Sequence, residues 1–179
     1  LILDPKERTA RLATPGMRLD LGGIAKGHAS QAAIDVLRKQ GVPSALAAGA
    51  GDIVAGDPPP GKKGWTIAVG NLENPGSTPP ERFIEIAKAA VSTSGDAERY
   101  VEIDGIRYSH ILDPRTGRAF EERASVTVVA PDGTTADALE TAAYMMGREK
   151  GLAWIDSIPG AAAVYTREEG GVARRYESS

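Results

Sequence analysis

The sequence contains no cysteine. This excludes disulfide bonds, thiol nucleophiles and cysteine-ligated metal sites, although it leaves the cellular compartment open. The chain also has no apolar run long enough to span a bilayer. Its formal net charge of −3 provides no basic surface for nucleic acid and no polybasic patch for a membrane. We therefore expect no nucleic-acid partner, and a membrane only through a segment that is not present here.

The chain is long enough, at 179 residues, for one domain with a real core or for two small lobes. Its 21 glycines and 12 prolines predict many turns. The chain begins at Leu1, without a methionine or a signal-like segment. We expect a processed form or a piece of a longer protein, in which any targeting segment lies outside these residues.

The hydrophobic pattern predicts more strands than helices. Helices are expected over residues 24–40, from about 136 to 146 and around 150–155. Hairpins are expected over 100–108, with Asp104-Gly105 as the turn, and over 161–176, while the Pro- and Gly-containing stretch 71–80 predicts a loop. Many hairpins and few helices favour an α+β fold with a mostly antiparallel sheet and a few packed helices. In the first helix, helical spacing predicts a small-residue face that comprises Ala29, Ala32, Ala33, Val36 and Leu37.

Residues 19–27 indicate a phosphate site. The alternation of apolar Met17 and Leu19 with polar residues predicts the end of a strand, which the Gly22-Gly23 turn joins to a helix. The unpaired N–H groups of a helix N-terminus favour an anion, and Lys26 adds a positive charge there. Two glycines before a helix are also ordinary turn chemistry, and this alternative stays open.

Two oxygen-bearing side chains on the 136–146 helix indicate a metal site. Asp137 and Thr141 are four residues apart and therefore share one helix face. A carboxylate and a hydroxyl suit a hard cation such as Mg²⁺. Alternatively, Thr134 or Thr135 caps the helix while Asp137 complements its dipole.

The chain has two histidines. His110 precedes a turn-rich segment and is expected at a strand end, as a base, a phosphate contact or a structural residue. His28 is expected to be a solvated or capping residue. Asp96, which follows Thr93-Ser94-Gly95, would close a loop or bind a ligand.

Six motifs occur along the chain in a specific order. They are Asp20-Leu21-Gly22-Gly23-Ile24-Ala25-Lys26-Gly27, Gly51-Asp52-Ile53, Thr93-Ser94-Gly95, His110-Ile111-Leu112-Asp113-Pro114-Arg115-Thr116-Gly117, Ser125-Val126-Thr127-Val128 and Ala136-Asp137-Ala138-Leu139-Glu140-Thr141. This order resembles the ApbE family of FAD:protein FMN transferases. The resemblance implies an Mg²⁺-dependent enzyme that splits FAD, transfers FMN to a threonine or serine hydroxyl of an acceptor flavoprotein, and releases AMP. It also implies a periplasmic or otherwise exported location.

The resemblance implies a role for each matching position. The metal ligands would be the side chains of Asp137 and Thr141 and the main-chain carbonyl of Gly23, with Glu140 as an occasional further contact. The FAD contacts would be Asp20, Lys26 and Leu112. His110 matches the histidine associated with transfer.

The sequence departs from the family at several positions. His28 stands where a tyrosine is usual, Ala50-Gly51 where a Gly-Gly pair is usual, and Ala48 near the position of a frequent asparagine. We expect residues 1–179 to form an ApbE-like flavin transferase domain that lacks the family's N-terminal half. Two alternatives stay open, namely an FAD pyrophosphatase that yields FMN and AMP, and a non-catalytic flavin-binding module.

Overall fold

The computed structural model describes residues 1–69, 72, 82–95 and 100–179. Asp96 and the predicted loop over 71–80, apart from Leu72, lie outside these residues. In the described ranges, no helix has the length and apolar character needed to cross a membrane.

The described residues form three α-helices and twelve β-strands. The helices are α1 (Ala25–Lys39), α2 (Gly133–Met146) and α3 (Arg148–Asp156). The strands are β1 (Ile2–Asp4), β2 (Thr9–Arg11), β3 (Leu46–Gly49), β4 (Asp52–Ala55), β5 (Trp65–Val69), β6 (Arg82–Ile86), β7 (Ala89–Gly95), β8 (Tyr100–Ile103), β9 (Ile106–Ser109), β10 (Ala124–Ala130), β11 (Ala162–Glu169) and β12 (Val172–Glu177).

The main sheet has six strands in the order β12-β11-β10-β7-β4-β3, and every neighbouring pair is antiparallel. Three separate two-stranded hairpins pair β1 with β2, β5 with β6, and β8 with β9. The predicted α+β fold with mostly antiparallel strands is therefore confirmed. The 100–108 hairpin is confirmed as β8-β9, and Asp104 and Gly105 both have the positive φ that a tight hairpin turn requires.

The core lies between the sheet and α2. The alternate residues Val126 and Val128 of β10 are fully buried and belong to one cluster with Ala136 and Leu139 of α2. α1 then packs on α2 at a pair of glycines. A Cβ on Gly27 would lie 2.0 Å from the carbonyl oxygen of Gly133, so the two backbones are in direct contact at this crossing.

The strand predicted to end before the glycine turn is absent. Residues 17–20 pair with no strand in the described part of the chain, and Met17 and Leu19 are 38% and 53% exposed. An alternating pattern produces a strand only where a neighbouring strand pairs with it. Here Asp20 instead makes a local turn, in which its Oδ1 accepts a hydrogen bond of 2.7 Å from the Gly22 N–H.

The small-residue face predicted for α1 is not the face that packs inward. Gly27, Ser30 and Ile34 are buried. The five predicted residues are all exposed: Ala29, Ala32, Ala33, Val36 and Leu37. The backbone of α1 approaches α2 closely at Gly27, where a side chain would clash, and this contact favours the face of α1 that carries Gly27 as the inward one.

Candidate metal centre

Three buried carboxylates meet where α1, α2 and β4 come together. Asp137 and Glu140 lie on α2, and Asp52 is the first residue of β4. Each is at most 1% exposed, and one oxygen of each lies within 4.8 Å of the others. Carboxylates this close repel one another unless cations or protons neutralise them.

Lys26 neutralises part of this charge. Its Nζ lies 3.0 Å from Asp137 Oδ1 and 3.1 Å from Asp52 Oδ2. Burial alone would lower the pKa of the Lys26 ammonium, but its hydrogen bonds to Asp137 and Asp52 prevail and raise this pKa. Lys26 is therefore charged at neutral pH.

Further donors fix the two aspartates. The Gly27 N–H donates a hydrogen bond of 2.8 Å to Asp137 Oδ2. The Ser92 hydroxyl of β7 donates to Asp52 Oδ1. Burial raises the pKa of the Asp52 carboxyl, although the hydrogen bonds from Ser92 and Lys26 oppose this shift.

Glu140 is less well satisfied than the two aspartates. The Thr141 hydroxyl donates to its Oε1 at 3.0 Å, whereas its buried Oε2 accepts no hydrogen bond from the described residues. Burial raises the pKa of Glu140 to about 8, although hydrogen bonds from Thr141 and Ser94 oppose this shift. A buried acceptor without a donor is costly, and a cation at this point would remove the cost.

The donor set fits a hard divalent cation. Carboxylate and hydroxyl oxygens are the ligands that Mg²⁺ prefers, and the carboxylates of Asp52 and Asp137 outnumber the single Lys26 ammonium even while Glu140 is protonated. The backbone of Gly23 lies beside Thr141, since a Cβ on Gly23 would be 3.3 Å from Thr141 Oγ1. The structure thus brings Gly23, Asp137 and Thr141 into one region, and their roles as ligands remain a prediction.

The alternative explanation of the α2 N-terminus is wrong. Neither Thr134 nor Thr135 is the cap, because Asp132 accepts hydrogen bonds from the Thr135 N–H at 2.9 Å and the Thr135 hydroxyl at 2.6 Å. With Asp132 as the cap, α2 begins at Gly133, three residues before the predicted start. Asp137 is left to contact Lys26 and Gly27.

The remaining predicted site residues lie on the surface. Asp20 is exposed in the turn before α1, and Leu112 is 56% exposed beside its bridge to Ala119. His110 directly follows β9 and is also exposed. Contacts of these residues with FAD or with an acceptor remain predictions.

Asp52 is the site residue to which sequence reasoning assigned no role. The segment around it predicts a turn between two apolar strands, and Ala50 and Gly51 do adopt positive φ there. The available signal was a lone carboxylate at the start of the apolar run Ile53-Val54-Ala55 within a family motif. A charged residue in such a run is rarely buried without a partner.

The comparisons with known proteins identify the family of the chain. The model of the ApbE family matches residues 1–165. The chain belongs to the ApbE family. It is 37% identical over 166 residues to an FAD:protein FMN transferase of Treponema pallidum, a match that covers 88% of this chain and 46% of the relative.

Solved structures of ApbE proteins have the same fold. The ApbE protein of Thermotoga maritima is similar with a TM-score of 0.81 and 35% identity, over 97% of this chain and 56% of that one. The flavin transferase ApbE of Vibrio cholerae is similar with a TM-score of 0.79 and 32% identity, over 92% of this chain and 52% of that one. The chain thus spans about half the length of the ApbE proteins it matches.

Proposed function

We propose that this chain carries the catalytic centre of an Mg²⁺-dependent flavin transferase. It would transfer FMN from FAD to a threonine or serine hydroxyl of an acceptor protein and release AMP. The observation that carries the proposal is the buried cluster of Asp52, Asp137 and Glu140 at the α1–α2 crossing, in a chain of the ApbE family. The relatives named FAD:protein FMN transferase support FAD as donor and a protein as acceptor.

In this proposal the α1–α2 crossing holds the pyrophosphate end of FAD. Asp137, Thr141 and the Gly23 carbonyl would bind Mg²⁺, which supplies positive charge beside the phosphoryl oxygens when bound. Lys26, whose side chain is 35% exposed, would extend toward the same oxygens. Asp20 and Leu112 would contact FAD from the surface. Positioning and charge neutralisation supply most of the catalysis in phosphoryl transfer.

The chemical step replaces the phosphoanhydride bond of the FAD pyrophosphate with a phosphate ester bond to the acceptor. The acceptor hydroxyl oxygen attacks the phosphorus of the FMN half and forms a new P–O bond. The P–O bond to AMP breaks, and its electron pair leaves on the AMP phosphate. His110 would accept the hydroxyl proton and pass it to solvent. The exposed position of His110 supports this role, because a protein acceptor must approach from outside.

The cellular setting is part of the proposal. The family resemblance supports a periplasmic or otherwise exported protein whose acceptors are flavin-carrying redox proteins. A membrane would be involved only through a segment outside these residues.

The test is to incubate the chain with FAD, Mg²⁺ and a peptide that bears a family-type acceptor threonine. The mass of the peptide and the release of AMP are then measured. A mass gain equal to FMN, together with AMP, supports the transferase. AMP and free FMN without a mass gain of the peptide would show an FAD pyrophosphatase in place of the transferase. Absence of AMP would contradict both activities, and flavin fluorescence would then test for a non-catalytic flavin-binding module.

A further inference from the structure

The Lys26 ammonium lies between two of the carboxylates of the candidate metal centre. It is 3.0 Å from Asp137 Oδ1, 3.1 Å from Asp52 Oδ2 and 3.4 Å from the Gly22 carbonyl oxygen. The Lys26 side chain is 35% exposed, whereas those of Asp52 and Asp137 are 2% and 0% exposed. The ammonium can therefore move toward solvent by rotation of its side chain, while the carboxylates are fixed.

Without Lys26 the two aspartates would be buried charges without a cation. Removal of one partner of a buried ion pair is strongly unfavourable, because the remaining charge stays desolvated. Lys26 thus stabilises the fold of the metal-free chain. It also occupies Asp137 Oδ1, one of the oxygens that a metal ion would need.

A divalent ion bound to Asp137 Oδ1 and the Lys26 ammonium on the same oxygen would repel each other. Mg²⁺ binds oxygen at about 2.1 Å, so an ion on Asp137 Oδ1 would lie within about 5 Å of an ammonium that is 3.0 Å from the same oxygen. The second oxygen of each aspartate has its own donor, the Ser92 hydroxyl at Asp52 Oδ1 and the Gly27 N–H at Asp137 Oδ2. Both carboxylates can therefore stay in place while Lys26 moves away from Asp137.

We propose that Lys26 is an exchangeable counter-ion of the metal centre. In the metal-free chain it neutralises Asp52 and Asp137, and a cation that binds at Asp137 displaces it toward the open side of the site. Its charge then becomes available to the anion of the substrate, a pyrophosphate. Mg²⁺ and the pyrophosphate would therefore bind cooperatively, whereas Mg²⁺ alone competes with Lys26. The inference rests on the proposed metal site at Asp137.

The first experiment measures Mg²⁺ affinity by calorimetry in the absence of flavin. The proteins are the unaltered chain, Lys26→Met and the matched control Lys39→Met, which removes an exposed lysine from the last turn of α1. We expect Lys26→Met to bind Mg²⁺ about tenfold more tightly than the unaltered chain, a typical coupling between two sites, and Lys39→Met to bind it as the unaltered chain does. Equal or weaker binding by Lys26→Met overturns the exchange. Failure of both the unaltered chain and Lys26→Met to bind Mg²⁺ would overturn the metal site as well.

The second experiment uses the unaltered chain and does not depend on the folding of a variant. Lysines are acetylated with and without saturating Mg²⁺, and the modification of each lysine is followed by mass spectrometry. We expect Mg²⁺ to accelerate acetylation of Lys26 severalfold and to leave Lys39 unchanged. If acetylation of Lys26 is unchanged or slower with Mg²⁺ bound, the ion repels the Lys26 ammonium without moving it. That result would overturn the proposed displacement of Lys26.

Discussion

The backbone N–H of Gly27 donates a hydrogen bond of 2.8 Å to Asp137 Oδ2, so the first turn of α1 holds the central carboxylate of α2. This contact exists because Gly27 has no side chain. A Cβ there would lie 2.0 Å from the Gly133 carbonyl oxygen and 2.6 Å from Asp137 Cβ. Helix packing and the candidate metal centre therefore depend on the same residue.

We expect Gly27→Ala to destabilise the chain by about 3 kcal/mol, because its methyl group would force the two helices apart. Urea denaturation measures the change. The control is Gly49→Ala, since a Cβ on Gly49 would meet nothing closer than Ser30 Oγ at 3.5 Å. If Gly27→Ala loses as little stability as the control, the close contact of α1 with α2 does not require glycine at this position.

Asp137→Asn is expected to weaken Mg²⁺ binding at least tenfold and to remove Mg²⁺-dependent turnover. Asparagine keeps the shape of the side chain and can still accept the Gly27 hydrogen bond, but it lacks the charge that attracts a cation. Calorimetry measures the affinity, and circular dichroism checks the fold. Asp35→Asn, a half-buried position on α1 whose side chain is 46% exposed, serves as the control. Unchanged Mg²⁺ affinity in Asp137→Asn would remove Asp137 from the metal site.

The metal-free chain should lose stability as the pH rises. Burial raises the pKa of Glu140 from 4.5 to about 8, so the folded chain holds this proton more tightly than the unfolded chain does. The stability that this proton contributes is fully present below about pH 4.5 and is lost as the pH rises through about 8, by at most about 5 kcal/mol. Denaturation in EDTA at pH 5 and pH 8 measures the loss, and Glu140→Gln should reduce it. The same loss in both proteins would show that Glu140 is not its cause.

Ser92→Ala should cost about 1–3 kcal/mol, because it leaves Asp52 Oδ1 buried without its hydroxyl donor. Thermal denaturation without metal measures the effect. Ser157→Ala provides the comparison, since that hydroxyl donates to the Trp154 carbonyl at an exposed position. If both variants lose equally little thermal stability, the hydrogen bond between Ser92 and Asp52 does not stabilise the fold.

His110→Ala is expected to slow FMN transfer about 100-fold, the scale of a lost general base, and to leave Mg²⁺ affinity unchanged. Its exposed position after β9 lies outside the buried carboxylate cluster. Transfer kinetics and calorimetry on the same preparation separate the two effects. Transfer at the original rate would exclude His110 from the reaction.

The local elements of the fold could be predicted from the sequence. The β8-β9 hairpin follows from alternating residues around Asp104-Gly105, because turn chemistry acts over neighbouring positions. The buried face of α1 could not be predicted, since it depends on the contact of Gly27 with Gly133, which is distant in the sequence. The pattern of small and apolar residues in α1 favours a different inward face, the one that includes Ala29, Ala33 and Val36.

The candidate site was predictable only in part. The spacing of Asp137 and Thr141 on one helix indicates a metal site, and the structure places Gly23 beside Thr141. Asp52 gains its significance from partners on other elements, Lys26 on α1 and Ser92 on β7, which no local pattern reveals. The sequence predicts a phosphate at the N-terminus of α1. The structure shows that one of the N–H groups there, that of Gly27, already donates a hydrogen bond to the Asp137 carboxylate.

The most direct test of the metal centre is a crystal of the chain soaked in Mn²⁺, which binds the same oxygen ligands as Mg²⁺ and gives an anomalous signal. The account predicts one strong anomalous peak that contacts the Asp137 carboxylate, the Thr141 hydroxyl and the Gly23 carbonyl oxygen. A saturating soak that gives no peak there, or a peak only at surface carboxylates, would contradict the account.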